Sequence, residues 1–197
     1  MLSWSGSPSG LYLSVGPGSP PVPLRAAEDV LSPVCHAPDG SPLRLLDSLA
    51  AEAEPLATLS PPPGLKRAIL VLAPNPAAGD AYVGVWLDDS PEARPGNSIT
   101  LHNLASMPVA LGVGSEQAIL RPGDHQVWRF SATERALMIQ AAIPRGDGWE
   151  RVVSTPQPVK DGFRILIILR DGRRADGRMD ALDLVTLYDY ERPVKTP

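Results

Sequence analysis

Few side chains in this 197-residue sequence can do chemistry: three histidines (His36, His102 and His125), the single cysteine Cys35, and the adjacent acids Asp88 and Asp89. Histidine and cysteine, joined by Met107, are the ligand types of a copper site in a β-sandwich. Their spacing argues against one. Cys35 and His36 are neighbours and would point to opposite faces of a strand, and His102 with Met107 lacks the tight Cys-x-His-x-Met loop that such sites use. No metal or other cofactor is expected.

Asp88-Asp89, running into Ser90-Pro91-Glu92, could form a carboxylate cluster for calcium. The same residues are what a strand-ending turn needs, because an Asp side chain caps backbone N–H groups two residues on. From Arg170 to Asp183 the calcium-loop template fails, since Arg173 and Ala175 stand where Asp or Asn is required. A hydrolase could pair Asp88 or Asp89 with His102 or His125, provided the groups meet within about 3 Å. If strands near Ala81–Leu87 and Ser98–Leu104 pair around their loop, Asp89 comes near Ser98 but His102 lies roughly 13 Å further along. That geometry disfavours the pair.

Gly112-Val113-Gly114 begins like a dinucleotide loop, but Gln117 replaces the third glycine and no helical pattern follows. In Gly6-Ser7-Pro8-Ser9-Gly10, Pro8 occupies the place of a hydrolase nucleophile. Trp86, Trp128 and Tyr82 are candidate stacking platforms for a sugar. Core filling is the competing reading for all of them, because large aromatics dominate the burial energetics of small sandwiches.

The elements that would position these residues read as strands. Asp-Gly pairs at Asp39, Asp147, Asp161, Asp171 and Asp176, and Pro-Gly pairs at Pro63, Pro95 and Pro122, punctuate short apolar runs. Strands are predicted near Leu11–Val15, Ala68–Ala73, Ala81–Leu87, Ser98–Leu104, Val109–Val113, Gln126–Phe130, Leu137–Ala142, Arg151–Ser154, Phe163–Leu169 and Leu182–Tyr188. Over Tyr82–Leu87 a period of two puts Val83, Val85 and Leu87 on one side and Tyr82 and Trp86 on the other. The fold expected is all-β, an antiparallel β-sandwich, Ig-like or related, with at most one short helix. That helix would lie over Leu43–Glu54, between Pro42 and Pro55, although Leu43–Leu46 suits a strand equally. A boundary near Pro63 divides a Pro-rich N-terminal segment, 1–63, from the sandwich at 64–197, although Pro61-Pro62-Pro63 suits a long connection within one domain equally, with the segment packed on the sandwich.

Lys and Arg number 18 against 22 Asp and Glu, giving a net charge of −4 with no basic block, so nucleic acid is not an expected partner. One cysteine excludes an internal disulfide framework. The longest apolar run, Ile165–Leu169, is far too short to cross a bilayer as a helix, and a soluble protein is expected. Met1–Val15 is Ser- and Gly-rich and lacks the features of a signal peptide.

The run Tyr82–Ser98, together with Leu101-His102-Asn103-Leu104, Pro108-Val109-Ala110-Leu111 and Leu120-Arg121-Pro122-Gly123, resembles a group of uncharacterised bacterial β-sandwich proteins that usually carry an export signal. The similarity covers about Leu65 to Tyr190 and rests on turns and core positions. It implies a sandwich fold and residence in the envelope, periplasmic or extracellular, and it supplies no catalytic residue. No reactive constellation survives, so a non-enzymatic binding or assembly module leads, with a protein or glycan as partner. A glycan-binding module using Trp86, Trp128 and Tyr82 is the first alternative and a hydrolase using Asp88 or Asp89 the second.

Overall fold

Alternating burial along short segments sets the architecture, and among the described residues no helix occurs. The computed structural model describes residues 2–3, 10–16, 19–24, 32, 34–38, 40–50, 53–74, 82–172 and 181–190. The chain divides into two compact units, Met1–Ser90 and Pro91–Pro197.

In the first unit the strands are β1 (Leu2–Ser3), β2 (Tyr12–Ser14), β3 (Val22–Pro23), β4 (Leu43–Leu46), β5 (Ala57–Leu59), β6 (Ala68–Pro74) and β7 (Tyr82–Asp88). They form one sheet in the order β3-β2-β4-β5 and another in the order β1-β6-β7. The division expected at Pro63 therefore falls at Ser90. The reason is packing: Leu70 and Leu72 of β6, with Tyr82 and Trp86 of β7, share a core with Leu13, Leu43, Leu45, Ala57 and Leu59.

β4 also replaces the start of the helix expected over Leu43–Glu54. Leu43 and Leu45 are buried while Arg44 is exposed, and Leu45 lies opposite Leu13 on one side and Ala57 on the other. Two flanking strands and three buried leucines, Leu43, Leu45 and Leu46, outweigh the helical preference of the following Ala and Glu residues. Ala51 and Glu52 lie outside the described residues.

Gly84 lets β5 approach β7 closely: a Cβ there would sit 2.8 Å from Leu70 Cδ1 and 2.9 Å from Leu59 Cδ2. Tyr82 and Trp86, on the same side of β7 as Gly84, pack against the core of the first unit, while Leu87 is buried on the other side.

The second unit holds β8 (Ser98–Asn103), β9 (Val109–Val113), β10 (Glu116–Leu120), β11 (His125–Arg129), β12 (Ala136–Arg145), β13 (Gly148–Pro158), β14 (Phe163–Gly172) and β15 (Ala181–Tyr190). Two four-stranded sheets, β10-β9-β12-β13 and β11-β8-β14-β15, supply one common core. All pairings are antiparallel except β8 with β14, which sets Ile99 beside Ile165 and Leu101 beside Ile167. From the other sheet Val109, Leu111, Val113, Ile139, Ala141 and Ile143 fill the same core. Each fully buried Val, Leu or Ile stabilises by roughly 1.5–3 kcal/mol. The apolar run Ile165–Leu169 is buried at every position, the pattern of a strand covered on both faces.

A fully buried asparagine ties the end of β8 to its surroundings. Asn103 Nδ2 donates to Met107 O at 2.9 Å and Leu120 O at 3.0 Å, and its Oδ1 accepts Ala105 N–H at 3.1 Å. Its main chain closes the circuit, with Gly123 N–H donating to Asn103 O and Asn103 N–H to Asp124 O. The Asn103 side chain thus ties Ala105 and Met107 to Leu120.

Candidate functional site

The outer face of the sheet β10-β9-β12-β13 carries a shallow groove. Alternation sends Val109, Leu111 and Val113 inward and leaves Ala110 and Gly112 outward. Register then builds rows across the sheet: Gln117, Gly112 and Gln140 stand side by side, as do Ile119, Ala110, Ala142 and Arg151. Small side chains in the middle of each row and long ones at its ends leave an open cavity of about 410 Å³. The register shift between Ala141 and Ala142, a bulge, brings Arg151 opposite Ala142 and so to the wall of the groove. Ile119 is 61% exposed. The walls offer two carboxamides and one guanidinium, which recognise a ligand through hydrogen bonds, and the floor offers apolar contact.

His102 and His125 are direct cross-strand partners on β8 and β11, and their rings stack at 4.9 Å with planes 15° apart. Burial, then the neighbouring His125, then Arg94 hold the His102 ring down to a pKa of about 4. A neutral buried ring is the result. Among the described residues no carboxylate hydrogen-bonds or ion-pairs with either ring, so neither has the partner that orients a general base.

None of the residues that the sequence offers as a site lines that groove. Trp128 is 2% exposed within the core of the second unit, so it fills the sandwich and presents no face to a sugar. Trp86 and Tyr82 are half-buried and pack against the core of the first unit. Trp86 also lines a cleft of about 180 Å³ with Leu13, Cys35, Leu43 and Asp89. Burial pushes the Cys35 thiol up, which makes it a poorer nucleophile than a free thiol. Asp88 accepts the Ser90 N–H at 2.8 Å, the strand-ending turn anticipated for it. Asp89 is 8% exposed and accepts Arg67 Nε at 2.7 Å. Among the described residues, no three of His, Cys, Asp and Glu gather as metal ligands.

A second surface escaped the sequence reading. Tyr188 and Tyr190 of β15 are 52% and 46% exposed, and Phe163 meets both edge-on, with ring centres 6.0 and 4.8 Å away. Gln157 Nε2 donates to the Tyr188 hydroxyl at 2.6 Å and Lys160 Nζ stands 5.7 Å from the Tyr190 ring centre. Two tyrosines at alternate positions, Tyr188 and Tyr190, were the available signal, since on a strand they share a face.

Compared with protein-family models and with curated proteins, the chain matches none. No helix among the described residues is long and apolar enough to cross a membrane.

Proposed function

We propose that the chain is a non-enzymatic β-sandwich module that works by binding or assembly through the outer face of the sheet β10-β9-β12-β13. The observation that supports this reading is the groove of about 410 Å³, floored by Ala110, Gly112 and Ala142 and walled by Gln117, Ile119, Gln140 and Arg151. Such a floor admits another molecule's backbone or ring closely, and the walls hold hydrogen-bonding groups ready at its sides. The resemblance to exported bacterial sandwich proteins adds residence in the envelope to the proposal. Affinity capture with the native protein, against Ala142→Arg as a variant with a filled groove, is the test. Capture by the native chain and loss with the variant supports the reading, whereas sustained turnover of a small molecule by the native chain overturns it.

Glycan binding is a second reading, favoured by the exposed tyrosines Tyr188 and Tyr190 beside Gln157 and Lys160 rather than by Trp128. Aromatic faces take the apolar faces of sugar rings while nearby polar groups take the hydroxyls. A glycan array probed with the native chain and with Tyr188→Ala separates the readings: binding that the variant loses supports this one, and a blank array removes it.

A further inference from the structure

Among the described residues β10 is an edge strand with β9 on one side only. An open edge presents N–H and C=O groups ready to accept another strand, and proteins blunt such edges with charge, proline or bulges. The other edges of the second unit are blunted in these ways. β13 carries Pro156 and Pro158 and faces the bulge at Ala141/Ala142. β11 carries His125 and Arg129, and β15 carries Asp183 and Asp189. β10 has no proline, a single charge at its first position, Glu116, and Ile119 standing exposed.

Hairpin geometry fixes which main-chain groups of β10 face outward. Gly114 and Ser115 form a two-residue turn between the partners Val113 and Glu116, with Gly114 at φ 60°, a left-handed conformation that glycine adopts without strain. In such hairpins the flanking pair exchanges both N–H···O bonds. Glu116, Ala118 and Leu120 therefore direct their main-chain groups to β9, while Gln117 and Ile119 direct theirs to the open edge. The parity of β9 agrees, because Gly114 N–H donates the other way, to Met138 O on β12 at 3.0 Å.

The geometry points to a second copy of this chain as the occupant of that edge, added antiparallel about a two-fold axis through Ala118; the inference rests on the assembly reading above. In that register Gln117 of each copy exchanges main-chain hydrogen bonds with Ile119 of the other, which uses the edge-facing groups of both residues. Each exposed Ile119 lies diagonal to its symmetry mate, within the roughly 7–8 Å that long side chains span across a sheet. Glu116 of one copy falls opposite Leu120 of the other at each end of the ladder. The contact between the two Ile119 side chains comes from the strand's own sequence read backwards, and a strand of unrelated sequence does not reproduce it. Antiparallel partners point the same way, so the two grooves come to lie side by side on one face of a continuous eight-stranded sheet. A bidentate partner would then bind with avidity beyond that of either groove.

Light scattering on the full chain over a range of concentrations tests this directly, with Ile119→Lys and Gln117→Pro as edge variants. A lysine at position 119 of both copies would set like charges against each other, and proline at position 117 removes an edge-facing N–H without touching the β9 ladder. The native chain is expected to reach twice its monomer mass, with each variant raising the dissociation constant at least tenfold, about 1.4 kcal/mol. Unchanged thermal midpoints would show that the variants fold. A native chain that stays monomeric, or folded variants that dimerise as it does, overturns the inference. A monomeric native chain that still captures a partner through the groove would leave the binding reading standing and remove only the self-pairing.

Discussion

His102 and His125 stand directly opposite each other on β8 and β11 with their rings stacked 4.9 Å apart, and only His102 is buried, at 7% exposure. This pair makes stability depend on pH. In the unfolded chain His102 takes a proton near pH 6.5, whereas in the fold it resists protonation down to about 4. Between those values the unfolded state binds more protons, so stability falls as pH drops through the window. The loss approaches about 3 kcal/mol near pH 4, since each tenfold difference in proton affinity between the two states is worth about 1.4 kcal/mol. Urea unfolding at pH 7 and pH 4.5 should show a drop that is smaller by about 2–3 kcal/mol in His102→Gln; equal drops in the two proteins would contradict the assignment.

Asn103→Leu should be among the most damaging substitutions in the second unit. It leaves Met107 O, Leu120 O and Ala105 N–H without their side-chain partner in a fully buried position. At about 1–3 kcal/mol for a buried polar group left unpaired, a loss of about 2–4 kcal/mol is expected. Denaturant midpoints measure it, and a change below about 1 kcal/mol would show that the polar circuit contributes little.

Gly84→Ala probes the first unit by overpacking. The new methyl would press on Leu70 at 2.8 Å and Leu59 at 2.9 Å, and displacing both costs about 1–3 kcal/mol. Gly148→Ala, whose Cβ meets nothing within 4 Å, serves as the control and should stay within about 0.5 kcal/mol of the native chain. Thermal unfolding of the two variants, compared side by side, checks the difference.

Strands that alternate or run apolar are legible in the sequence because burial itself writes those patterns. Val109–Val113 falls where expected, and Phe163–Leu169 is extended to Gly172. β10 goes unnoticed because Glu116-Gln117 opens it and it belongs to an edge, where no second neighbour demands β-branched side chains. Leu43–Leu46 has apolar residues that suit either a helix or a strand, and only its pairing with β2 and β5 decides between them. Sequence reasoning weighs Trp128 as core or platform, and its place between the sheets settles that it is core. The groove is illegible for a different reason. It is a space left by Ala110, Gly112 and Ala142, which are ordinary strand residues until register sets them beside Gln117, Gln140 and Arg151.

Backbone amide hydrogen exchange of the full chain, alone and in the complex recovered by affinity capture, tests most directly whether the outer face of β10-β9-β12-β13 is the working surface. Slowed exchange on going to the complex should concentrate in the groove strands β9, β10 and β12. Protection confined to β15 around Tyr188 and Tyr190, or to β7 around Tyr82 and Trp86, with β10 unchanged, would contradict the account.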